Sequence, residues 1–142
     1  MKIFKHASAI WNGTGPAGTG SMTLGRTGEV LPFSLKSRIG DVPMTNPEEL
    51  IGAAHAGCFS MALSSLIEEE GKVPGTVETS AKVTLEQRDD GFWITEINLT
   101  TRGSNQSLTS EEFITLAEKA KETCPVSKLY SAATITLDAA LN

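Results

Sequence analysis

The chain has 142 residues, 39% of them hydrophobic and 20% charged, with a formal net charge of -5 from 17 acidic and 12 basic side chains. Such a composition belongs to a folded chain with a core of its own, not to a disordered segment. The acidic balance and the lack of a tight Lys/Arg cluster argue against a nucleic-acid partner, because non-specific affinity for a phosphate backbone comes from basic side chains.

The start, MKIFKHASAIWNG, has basic residues but lacks the apolar core of a signal peptide. No apolar run approaches the roughly 20 residues that cross a bilayer. The expectation is a cytoplasmic protein with no membrane partner. Only two cysteines are present, Cys58 and Cys124. A cytoplasmic chain of this length needs no disulfide staple, so both are expected as free thiols.

The first forty residues predict a small antiparallel sheet. Ile3, Lys5, Ala7 and Ala9 lead into Trp11, the Gly/Thr/Pro-rich GTGPAGTG turns the chain, and SMTLG and VLPFSLKS follow. Leu31, Phe33 and Leu35 alternate with a period of two, as in a half-buried strand. The glycine-rich turn is no phosphate cradle, since no Lys-Ser/Thr follows it and its context is strand-turn-strand.

IGDVPMTNP reads as a linker. Asn46 then caps a helix, with Pro47 at the first helical position and Glu49 completing a capping box. Leu50, Ala54, Cys58, Met61 or Ala62, and Ser65 recur at helical spacing, and Gly71 stops the helix. Gly52, Ala53, Ala54, Ala56 and Gly57 make this helix thin, which suits very close packing against a neighbour. A helix so apolar also predicts burial between two chains of a dimer.

From Val77 the period returns to two through Thr79, Ala81, Val83 and Leu85. Asp90-Gly91 turns the chain, and Trp93, Thr95, Ile97 and Leu99 share one face on the way back. Thr109 and Glu112 form a capping box for a helix with Phe113, Leu116, Ala117 and Ala120 on its apolar face. Pro125 starts a further short helix, and SAATITLD ends the chain as a strand. The fold class is α+β: one domain over 1–142, with an N-terminal β unit over 1–40, a central helix over 46–71 and an αββα-type portion over 76–142.

The two thiols allow three readings. They are structural, since free cysteine is often buried. Or they bind metal, with His55 three residues before Cys58 on one helix face and His6 and Cys124 completing a zinc set. Or they are reactive. Cys124 sits at a helix start, where unpaired amides favour a thiolate; Cys58 lies mid-helix and needs a cation from elsewhere.

NPEELIGAAHAGCFSMAL, the later CPVSK and the strand pattern around them resemble the OsmC/Ohr family of thiol-dependent peroxidases, closest to its osmotically inducible OsmC branch, over essentially the whole chain. The resemblance implies an intertwined homodimer with active sites at the subunit interface. It implies reduction of organic hydroperoxides, and of hydrogen peroxide in this branch, without cofactor or metal. Carried over, Cys58 is the peroxidatic cysteine, Cys124 the resolving one, Glu48 the acid (with Glu49 as the alternative) and Arg38 the arginine. Arg26 in LGRTG is only a loose echo of the arginine turn of the Ohr branch. The implied reductant is a small dithiol or a lipoylated protein. Phe33, Leu35, Ile39, Met44 and Phe59 supply an apolar wall for the hydroperoxide or belong to the core. Glu48 stands ten residues before Cys58, about 15 Å along a straight helix, so it reaches the sulfur only if the helix begins after it, if the chain folds back, or from the partner chain. The rival reading is a non-enzymatic, stress-related dimer or ligand-binding protein.

Overall fold

Strands β1 (Ala7–Asn12), β2 (Thr19–Leu24) and β3 (Val30–Ser34) pair antiparallel in that order. The structure is a computed structural model that describes residues 1–104 and 107–142. The chain divides into two units, Met1–Leu50 and Ile51–Asn142.

In the first unit the register sets Trp11 opposite Gly20 and Gly20 opposite Phe33. The two rings meet over that glycine with centroids 5.3 Å apart. A Cβ on Gly20 would lie 2.8 Å from an atom of each ring, so only glycine admits the pair. The alternation predicted to run through Leu35 stops one residue earlier. Ser34 leaves the strand and caps helix α1 (Leu35–Ile39), its Oγ accepting the Ser37 amide at 3.2 Å while the Ser37 hydroxyl accepts the Ser34 amide at 3.0 Å. Arg38 therefore stands on a helical turn, not at the edge of a linker. A serine box three residues wide is a weak sequence signal beside a strand's alternation.

Helix α2 (Pro47–Glu69) begins as predicted, with Asn46 Oδ1 accepting the Glu49 amide at 2.9 Å. Beyond its end Gly71 adopts φ +69°, its amide bonding Glu68 O at 2.9 Å. The buried line of α2 is not the predicted one. Gly52, His55, Phe59, Leu63, Leu66 and Ile67 are buried, whereas Ala54, Met61 and Ser65 are exposed. Because α2 is apolar on every side, its periodicity names no direction. Close packing is met at Gly52, where a Cβ would sit 3.2 Å from Val83 Cγ2, whereas at Gly57 no described residue of the same chain lies within 4 Å. The expectation that no segment approaches a membrane span is corrected as well. By length and composition α2 is long and apolar enough, with a mean hydropathy of 1.6 over its best window.

Strands β4 (Thr76–Arg88) and β5 (Gly91–Ser104) form the predicted hairpin, and β6 (Thr134–Leu141) joins β5 in parallel, giving the order β4-β5-β6. The turn residues are Asp89 and Asp90; Gly91, at φ +128°, already opens β5. Thr84 pairs with Glu96 but Leu85 with Ile94, so Thr95 is an extra residue in the ladder. This bulge shifts the inward face. Ile94 joins Ile97 and Leu99 against the core, while Trp93, predicted to share their face, is exposed.

Thr109 and Glu112 form the predicted capping box of α3 (Ser110–Thr123), and Phe113, Leu116, Ala117 and Ala120 are its buried face. Cys124 separates α3 from α4 (Pro125–Leu129). Between α2, α3 and the second sheet lies a core built on Phe59, Leu63, Ile67, Ile97, Leu99 and Phe113.

Candidate active site

Cys58 on α2 and Cys124 at the start of α4 are free thiols whose sulfurs lie 3.1 Å apart, in hydrogen-bond contact across 66 residues of sequence. Cys58 is half-buried and Cys124 fully buried. One carbonyl and one side chain fix the neighbourhood. Cys124 N donates to Ala120 O at 2.9 Å, continuing α3, and Pro125 then redirects the chain so that the first amides of α4 turn back on the sulfur.

The electrostatics of the pair are unequal. Burial raises the Cys58 thiol above the ordinary value and the hydrogen bond to Cys124 raises it further; the Val126 amide pulls it down, and charge on Cys124 pushes it up again. Burial pushes Cys124 up too, but the hydrogen bond shared with Cys58, the amide and hydroxyl of Ser127 and the amide of Val126 outweigh it, leaving this thiol below the ordinary value. This matches the expectation that Cys124 gains from a helix start and that Cys58 needs outside help.

In the first unit Arg38 and Glu48 form an ion pair, with Arg38 Nε 2.8 Å and Nη2 2.6 Å from the same carboxylate oxygen, Oε1. The two nitrogens thus share one oxygen of the carboxylate. Glu48 Oε2 is buried with no hydrogen-bond partner among the described residues. The pair is aimed by its backbone. Ser37 Oγ donates to Thr45 O at 2.9 Å, and Asn46 Nδ2 donates to Ser37 O at 3.2 Å while Asn46 Oδ1 caps α2. Asn46 so ties α1, which carries Arg38, to the helix start that carries Glu48. Glu49, the alternative acid, is exposed and gives its amide to that cap; Arg26 stands on the exposed turn between β2 and β3. Because α2 is unbroken from Pro47, Glu48 is on the same helix as Cys58, and the possibility that the helix begins after it is removed.

A cavity of about 210 Å³ in the first unit is lined by Trp11, Phe33, Ser34, Leu35, Arg38 and Pro47. Of the predicted apolar wall it includes Phe33 and Leu35. Ile39 is 58% exposed, Met44 is half-buried, and Phe59 is fully buried in the core of the second unit.

The sequence offers His55 as a zinc ligand and does not single out Ser127. The structure joins them, His55 Nε2 lying 2.7 Å from Ser127 Oγ. The available signal was spacing: His55 three residues before Cys58 and Ser127 three after Cys124. Among the described residues no three of His, Cys, Asp and Glu gather as metal ligands do, and His6 is exposed in the first unit.

The OsmC-like protein family matches residues 40–138 of this chain. Over 141 residues the chain is 42% identical to Peroxiredoxin OsmC of Escherichia coli (strain K12), covering 97% of this chain and 96% of that protein. It is 33% identical over 89 residues to the organic hydroperoxide resistance protein OhrA of Bacillus subtilis (strain 168), across 61% of this chain and 60% of that protein. Among solved structures, an organic hydroperoxide resistance protein from Elizabethkingia anophelis aligns over 100% of both chains with 26% identity and a TM-score of 0.74. With two free thiols in contact and identity running nearly end to end, this chain belongs to the OsmC/Ohr family of cysteine-based peroxidases.

Proposed function

We propose that this protein reduces organic hydroperoxides, and hydrogen peroxide with them, with Cys58 as the peroxidatic and Cys124 as the resolving cysteine. The contact between the two sulfurs carries the reading. Exposure supports these roles: Cys58 is half-buried and open to a solute, whereas Cys124 is fully buried. The names of the relatives supply the substrate class.

The chemistry runs in three steps. Cys58 thiolate attacks one peroxide oxygen, the O–O bond breaks, and the departing alkoxide takes a proton to become an alcohol. Cys58 is left as sulfenic acid. Cys124 then attacks the Cys58 sulfur, an S–S bond forms, and the displaced hydroxide leaves as water with the proton Cys124 gives up. A dithiol, small or carried on a lipoylated protein, reopens the bond by exchange.

Burial and Cys124 raise the Cys58 thiol, so the first step needs a cation to draw the charge onto Cys58. Arg38, aimed by Glu48, is that cation, and it also steadies the departing oxygen. Glu48 precedes Cys58 by ten residues on one helix, about 15 Å of rise, so the two are joined in the assembled homodimer and not along α2. Phe33 and Leu35, which flank Arg38, hold the alkyl part of the hydroperoxide. Free thiols and a dithiol reductant fit the reducing cytoplasm.

The test counts free thiols before and after one equivalent of cumene hydroperoxide. Both disappear together in the parent chain. Cys58→Ser leaves the peroxide untouched, and Cys124→Ser reacts once and stops at sulfenic acid. Turnover of peroxide by Cys58→Ser with dithiol overturns the assignment.

A further inference from the structure

His55 is fully buried, and its ring makes one hydrogen bond, from Nε2 to Ser127 Oγ at 2.7 Å. The other nitrogen, Nδ1, has no partner among the described residues. Tyr130 closes the ring edge-on, centroids 5.5 Å apart. Burial also lowers the affinity of the imidazole for a proton, so the ring is neutral and carries one N–H. If that hydrogen sat on Nδ1, a buried donor would go unpaired. With it on Nε2, only a lone pair is left unused, which costs less. The Nε2–H tautomer donates to Ser127 Oγ. The serine hydroxyl, its acceptor side engaged, has its own hydrogen left to give, and Ser127, three residues after Cys124, is among the groups that lower that thiol.

We infer that His55 and Ser127 are positioning residues for the resolving step, a two-link donor chain, His55 Nε2–H to Ser127 Oγ–H to Cys124 Sγ, that holds Cys124 as the thiolate attacking oxidised Cys58. The inference rests on the roles given above to the two cysteines. In the first step Arg38 draws charge onto Cys58, and the remaining proton goes to Cys124. Once Cys58 is a sulfenic acid, Cys124 must lose that proton again, and the serine hydroxyl stabilises the charge left behind. The proton leaves with the hydroxide displaced from Cys58, as water. The same hydrogen bond stabilises Cys124 when exchange with the dithiol expels it as a leaving group, since a better-stabilised thiolate departs faster.

The surroundings leave few competitors for this task. From α2 the titratable groups at the relay are Cys58 and His55, and just past the end of α4 Tyr130, which meets His55. From α3 the inward residues are Phe113, Leu116, Ala117 and Ala120, and from β5 Ile97, Leu99 and Thr101, none of which titrates.

The experiment titrates Cys124 by its ultraviolet thiolate absorbance in a Cys58→Ser chain, with and without Ser127→Ala. The midpoint rises by about one pH unit when the hydroxyl is removed, the size a hydrogen bond to a charged acceptor supplies. Ser127→Thr, which keeps a hydroxyl, holds the midpoint near the parent value. His55→Gln keeps an N–H donor and shifts it less than His55→Leu. In chains with both cysteines, dimedone traps Cys58 sulfenic acid in Ser127→Ala because disulfide formation slows about tenfold. Circular dichroism shows which variants fold. An unchanged midpoint and resolution rate in folded Ser127→Ala overturn the inference. Peroxide turnover by Cys58→Ser with Ser127 intact overturns the cysteine roles instead, so the two failures are separable.

Discussion

Arg38 directs two guanidinium nitrogens, Nε and Nη2, at a single oxygen of Glu48, at 2.8 and 2.6 Å. This geometry fixes the plane of the guanidinium without neutralising it evenly, and Glu48 Oε2 is left without a hydrogen-bond partner among the described residues. An opposite charge within a few ångströms lowers a thiol by about one to three pH units. Arg38→Leu is therefore expected to slow Cys58 oxidation at neutral pH by roughly tenfold to a thousandfold. Glu48→Gln, which keeps an oxygen to accept from the guanidinium, loses less than Glu48→Leu. Stopped-flow oxidation rates of the three variants check both the size and the ranking; a Glu48→Leu rate equal to the parent's removes Glu48 from the site.

Met61 is 70% exposed on α2, on the same side as the exposed Ala54. In the proposed homodimer this apolar face is covered by the partner chain. Met61→Glu sets a charge there, and an unpaired buried charge costs several kcal/mol, roughly. The expected outcome is a halving of the mass measured by light scattering at micromolar concentration, with the helical signal kept. A monomeric parent chain, or a Met61→Glu chain of unchanged mass, speaks against a dimer formed through this face.

At Gly52 helix α2 lies close against β4, and a Cβ there already approaches Val83 Cγ2 to 3.2 Å. Gly52→Leu is expected to lower stability by about 1–3 kcal/mol through overpacking. Gly57 faces open space in the single chain, so Gly57→Ala meets no such clash within it. Urea midpoints at constant slope give the first value, and a neutral Gly52→Leu would mean the helix and the strand are free to separate.

His55 provides a pH signature. Its folded-state pKa lies below the ordinary 6.5 because the ring is buried. Between that lowered value and 6.5 the unfolded chain binds a proton that the folded chain refuses, so stability falls as the pH falls through this window. The slope is at most about 1.4 kcal/mol per pH unit for one group. His55→Gln, which does not titrate, is expected to flatten the curve of urea midpoint against pH below 6.5 relative to the parent. Parallel curves would show that His55 takes up its proton freely in the folded protein.

What the sequence determined by itself was whatever depends on a few neighbouring residues. The Thr109–Glu112 box, the Asn46 cap, the proline start of α4 and the long hairpin were legible because each is a contact within a turn or between adjacent strands. The buried face of α2 was not legible, since a helix apolar all round gives its periodicity no direction and only packing against β4 and α3 selects one. The bulge at Thr95, which turns Trp93 outward, was hidden for a similar reason: one extra residue in a ladder is set by the partner strand. Both cysteines could be singled out from the sequence, but their 3.1 Å contact joins residues 66 positions apart, and so does the link from His55 to Ser127 across 72. Such contacts come from the way α4 turns back onto α2 after Pro125. That turn sets what surrounds Cys124, because amides and a hydroxyl can lower a thiol only where the folded backbone aims them.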